Sequence, residues 1–127
     1  MKKTAIALIP LLYTAMICPG RKREHPILKV KHFAHRGFHG EAGIPENSMA
    51  AFRRARELGY GIELDVQLTK DDVLVVHHDY DLKRTCGTGK YIRDLTYEQL
   101  CRYRLMGTEE RIPRFVDVLR EIDGKVP

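Results

Sequence analysis

The stretch "GIELDVQLT", residues 61–69, decides how this chain is read. Side chains alternate across a strand, so Glu63, Asp65 and Gln67 share one face while Ile62, Leu64, Val66 and Leu68 share the other. Same-face neighbours sit about 6 to 7 Å apart. At an effective dielectric near 20, two like charges about 6 Å apart repel by about 3 kcal/mol. Two readings answer that repulsion: the polar face of an edge strand open to solvent, or a cation held between the carboxylates.

Working outward, "KHFAHRG" (31–37) predicts a short strand ending at a glycine, and "GEAGIPE" (40–46) a loop. A helix follows, capped by Asn47 or Ser48, with Met49, Phe52, Ala55 and Leu58 at helical spacing and Gly59 closing it. Downstream, "TKDD" (69–72) is a turn and "VLVVHHD" (73–79) a further strand. The glycines of "LKRTCGTGKYIRD" (82–94) predict a loop, Thr96 and Gln99 form a capping box, and "RFVDVLREI" (114–122) is a helix with Phe115, Val118, Leu119 and Ile122 on one face. Apolar strands covered by helices indicate an α/β protein. A four-residue turn ordinarily makes an antiparallel hairpin, so the pattern alone leaves the direction of the third strand open. The chain stops at "GKVP", where another strand is expected, and reads as the amino-terminal part of a larger domain.

With 127 residues, 43% of them hydrophobic, the chain permits one modest domain. Its formal charge of +5 is concentrated at one end, since residues 1–31 hold seven Lys or Arg against Glu24. The remainder is slightly negative and has no basic excess to neutralise phosphates, which argues against a nucleic-acid partner. The opening "MKKTAIALIPLLYTAMICPGRKR" has an apolar run between basic clusters and no small-x-small cleavage site. It predicts a membrane anchor or signal-like segment over residues 1–20, with an uncleaved anchor helix favoured, and a basic linker over 21–31, with the folded part at 32–127. The basic residues after the run favour a membrane-anchored protein with a cytoplasmic catalytic domain, while Lys2 and Lys3 pull the other way. Cys18, Cys86 and Cys101 have neither zinc-type spacing nor an even count.

Chemistry-bearing residues cluster at strand ends. His35 and Arg36 end the first strand, Glu63 and Asp65 lie on the second, and His78 and Asp79 end the third. Imidazoles suit proton transfer near neutrality, a guanidinium pairs with phosphate, and two carboxylates suit a hard divalent cation. His77 has the opposite parity to His78 and is expected to be structural. His32, His35 and His39, on a strand and a loop, need not converge on a metal.

"AHRG", "PENS" before "AAF", "GIELDVQLTKD" and "VVHHDYDLKRT" resemble, in order and spacing from about residue 33 to 123, the glycerophosphodiester phosphodiesterase family. That resemblance implies a TIM-type (β/α)8 barrel of which only the first part is present, with "ELD" and "VVHHD" both as barrel strands. It also implies His35 and His78 as the acid/base pair, Arg36 as the phosphate contact, and Glu63 and Asp65 as ligands of Ca2+ or Mg2+. The implied reaction cleaves glycerophosphodiesters, or phospholipid-derived substrates, to glycerol 3-phosphate and an alcohol such as choline or ethanolamine. Two departures stand beside it: the family's third acidic ligand would follow residue 127, and Asp72 replaces a turn glycine, which Asp tolerates better than most residues. The alternative is an inactive fragment or membrane-tethered phosphate-binding module.

Overall fold

The computed structural model describes residues 30–41 and 43–127. Strand β1 (Phe33–Ala34) pairs in parallel with β2 (Gly61–Ile62), and β3 (Val66–Leu68) pairs antiparallel with β4 (Leu74–Val76). Helix α1 (Met49–Glu57) connects β1 to β2, as a parallel pair requires. One-turn helices α2 (Lys83–Cys86) and α3 (Tyr97–Leu100) follow β4, and α4 (Phe115–Ile122) comes last.

Local chemistry sets the boundaries. The Ser48 hydroxyl caps α1 by accepting from the Ala51 N–H, and the Thr96–Gln99 capping box opens α3 with both reciprocal bonds formed. Gly37, at φ +77°, lies so close to α1 that a Cβ there would stand 2.8 Å from the Ala51 Cβ. Only glycine fits that approach. Asp72 adopts the left-handed conformation, φ +60°, in the turn between β3 and β4.

That turn decides the strand direction. Val66 lies opposite Val76 and Leu68 opposite Leu74, so these residues form the hairpin that a short turn dictates. The expectation that "ELD" and "VVHHD" enter simply as barrel strands is corrected to that extent. Glu63 and Asp65 lie between β2 and β3, where the Glu63 N–H donates to the Ala34 C=O and the His77 N–H to the Asp65 C=O.

Two apolar clusters support this frame. Phe52, Val76 and Val118 are fully buried together, with Met49, Ile62, Leu64, Phe115 and Ile122 packed on them. Val75, Leu82, Ile92, Leu95, Leu100, Leu105 and Ile112 form the other cluster. Leu58 and Leu119, expected on the buried stripes, are exposed: Leu58 is the C-cap residue of α1, and Leu119 lies beside the stripe that Phe115, Val118 and Ile122 bury.

The expectation of a membrane-anchor helix is corrected. Among the described residues no helix is long and apolar enough to cross a membrane. A span needs about 20 residues, whereas α1, the longest described helix, has nine. The expected anchor, residues 1–20, lies outside the described residues, as does most of the linker at 21–31. The transmembrane helix, the membrane as partner, and the membrane-anchored location with a cytoplasmic catalytic domain have no support among the described residues.

Candidate active site

Backbone alternation through residues 62–65 sends Ile62 and Leu64 into the Phe52 cluster and leaves Glu63 and Asp65 to face the turn after β1. That turn carries His35 and Arg36. The Arg36 N–H donates to Glu63 Oε2 at 3.1 Å, and His35 Nε2 stands 4.0 Å from the same oxygen. Arg36 Nε lies 3.5 Å from Asp65 Oδ2 without hydrogen-bond geometry, and it is buried. The backbone of Arg36 is left-handed, φ 56°, a costly conformation for arginine, and its C=O accepts from the Asn47 N–H.

Glu46, in the loop before α1, is buried between two arginines. It accepts from Arg36 Nη1 at 3.0 Å and from Arg84 Nη1 and Nη2 at 2.8 and 2.6 Å. The Arg84 bonds, chiefly, hold its carboxyl down to about 2. Arg84, on α2, also donates to both oxygens of Asp79, and that grip is the main reason the Asp79 carboxyl is likewise held down to about 2. Asp79 Oδ1 in turn accepts from His78 Nδ1 at 2.6 Å. His35, Arg36, Glu63, Asp65 and His78, the residues singled out from sequence, are thus joined through Glu46, Arg84 and Asp79. Sequence reasoning placed Asp79 among the chemistry-bearing residues at strand ends without giving it a role, and singled out neither Glu46 nor Arg84. "PENS" and "HHDYDLKRT" contain them, yet Glu46 and Arg84 are 38 residues apart and meet only in the fold.

His77 turns the other way. It is 1% exposed; its Nδ1–H donates to the Asp79 C=O at 2.8 Å, and its Nε2 accepts from the Thr85 hydroxyl at 2.8 Å. Burial lowers its pKa. Lowered folded-state values make all three groups stabilising above their ordinary values and progressively less so as pH falls. His77 contributes fully above about 6.5, and Glu46 above about 4.5 with its loss extending toward 2. We expect His77→Ala to cost about 2 to 4 kcal/mol and to remove the first stage of acid destabilisation, below pH 6.5. Urea midpoints measured from pH 8 to 4 check both.

The carboxylates suit a hard divalent cation in donor type. Among the described residues, hydrogen bonds to them end on Glu63 Oε2 and Asp65 Oδ2, so Oε1 and Oδ1 remain as oxygen donors. Asn47, whose Nδ2 donates to Asp65 Oδ2, has its Oδ1 buried without a partner. Among the described residues, no group of three or more His, Cys, Asp or Glu is placed to hold a metal. Cys86 and Cys101 are free thiols.

Histidines and acids gathered where β1, β2 and β4 end define an α/β protein with a site at the carboxyl ends of its strands, the position that barrel enzymes use. The chain belongs to the glycerophosphoryl diester phosphodiesterase family, which it matches over residues 35–126. It is 42% identical over 105 residues to the glycerophosphodiester phosphodiesterase of Caldanaerobacter subterraneus subsp. tengcongensis, covering 77% of this chain and 42% of that protein. A lysophospholipase D of Rattus norvegicus is 39% identical over 101 residues, covering 69% of this chain and 32% of the relative. Among solved structures, an Oleispira antarctica phosphodiesterase in complex with the product sn-glycerol-3-phosphate superposes with a TM-score of 0.69 at 28% identity, covering 79% of this chain and 43% of that one. The Thermotoga maritima glycerophosphodiester phosphodiesterase gives a TM-score of 0.62 at 40% identity, covering 72% and 38%. These structures are barrels of the TIM type, of which the described elements form a part. The chain spans less than half the length of these relatives.

Proposed function

We propose that the protein is a metal-dependent phosphoric diester hydrolase of lipid metabolism, cleaving glycerophosphodiesters to glycerol 3-phosphate and an alcohol, and that this chain supplies the amino-terminal part of its barrel. The observation that carries the proposal is the single network linking two imidazoles, a guanidinium and two carboxylates at adjacent strand ends. The names of the Caldanaerobacter and Rattus relatives support a glycerophosphodiester or a phospholipid-derived substrate, and the Oleispira complex supports the product.

His35 and His78 divide the proton work. One imidazole takes a proton from the attacking water as its oxygen bonds to phosphorus, and the other gives a proton to the leaving alkoxide as its P–O bond breaks. Their exposed side chains suit contact with a substrate. Arg36 directs positive charge at the phosphate, and its orientation is fixed by Glu46. Glu63 and Asp65 would hold Ca2+ or Mg2+. When bound, that cation supplies charge stabilisation for the phosphoryl oxygens.

The test is release of glycerol 3-phosphate from glycerophosphocholine and glycerophosphoethanolamine by the full-length protein, with and without a chelator. Chelator-sensitive release is expected. Binding of glycerol 3-phosphate without turnover would replace the hydrolase by a phosphate-binding module.

A further inference from the structure

We propose that Arg84 is a positioning residue: gripping Glu46 and Asp79 at once, it holds the Asp79 carboxylate where it fixes His78 as the Nδ1–H tautomer, leaving Nε2 as the basic nitrogen. The kinetic meaning of this rests on the reading of His78 as an acid/base group. The tautomer does not.

The guanidinium makes two forks. Nη1 and Nη2 meet the two oxygens of Glu46 at 2.8 and 2.6 Å, while Nε and Nη2 meet those of Asp79 at 2.8 and 3.2 Å. A planar cation with its donors in fixed directions sets the relative orientation of both carboxylates, which a lysine ammonium cannot do. One side of the clamp is anchored in the fold, because Glu46 is buried and is held again by Arg36. The other side ends on the imidazole. Asp79 Oδ1 lies 2.6 Å from His78 Nδ1, and an ionised carboxylate only accepts, so the hydrogen belongs to Nδ1. The next residue on α2 reinforces this arrangement: Thr85 Oγ1 bonds buried His77 Nε2, so α2 grips the end of β4 through two neighbouring side chains. The clamp thereby joins the loop before α1 to the histidine after β4.

The experiment uses the full-length protein with 15N-labelled histidine. Wild type should show His78 with a protonated Nδ1 and an unprotonated Nε2 in the neutral ring. Arg84→Gln should move both signals toward a tautomer mixture and lower kcat by about 10- to 100-fold, with KM changed by less than about threefold and thermal unfolding still cooperative. Asp79→Asn, which accepts or donates at Nδ1, should cause the same spectral change with Arg84 intact. Should Arg84→Gln fail to fold, Arg84→Lys keeps the charge without the fork and should show the same shift. His78 signals unchanged in the folded Arg84 variant would overturn the proposal, as would wild-type kcat in that variant. If the wild-type protein hydrolyses no diester, the hydrolase reading fails by itself, and the 15N signals still decide the clamp.

Discussion

His35→Ala and His78→Ala in the full-length protein should each lower kcat by about 10²- to 10⁴-fold, the range that positioned acid/base groups supply, while unfolding and cation binding stay close to wild type. The split follows from surroundings. Both imidazoles are substantially exposed, so truncation opens no buried cavity. His77 is the internal control, because its ring is sealed between the Asp79 carbonyl and Thr85. Its loss should lower stability and leave turnover per folded molecule within about tenfold of wild type. Steady-state kinetics normalised to the folded fraction separates the two behaviours. An essential His77 beside a dispensable His78 would invert the assignment.

Glu63→Gln and Asp65→Asn should reduce divalent-cation affinity by at least about 10-fold to 100-fold and turnover by a comparable or larger factor. Each swap is close to isosteric, yet it replaces a charged oxygen by an amide where Arg36 supplies an N–H or a guanidinium edge. Calorimetric titration with Ca2+ and Mg2+ reads the affinity independently of catalysis, and thermal unfolding shows whether the amide disturbs the Arg36 turn. Wild-type cation affinity in both variants would remove these residues from the proposed cation site.

Legibility in the sequence tracked the range of the interaction. Strict alternation made the orientation of Ile62 to Asp65 readable, and side chains bonding within three residues made the caps at Ser48 and Thr96 readable. The left-handed turn residue Asp72 was legible through the family resemblance, in which it stands where a turn glycine is usual. Loop length alone pointed to the β3–β4 hairpin, and the family resemblance outweighed that local signal. Helix α2 has four residues, too few to show a period, so "LKRTCG" looked like loop and Arg84 was not singled out. Glu46 looked like loop polarity because its two arginine partners come from other elements. The anchor inference rested on an apolar run alone, and no helix among the described residues supports it.

Strand β4 has a consequence for how the molecule opens. Val75 belongs to one apolar cluster and Val76 to the other, so this strand is a party wall between two compartments. The compartment beyond it is built entirely from residues 73–105 and Ile112, without Phe52 or Val118. Cooperative opening tends to follow such contiguous units. Residues 80–112 are therefore expected to exchange their amide hydrogens as a unit separate from α1, β1, β2 and α4, with the Arg84–Glu46 pair and the Ala50 N–H bond to Glu110 as polar ties between the two compartments.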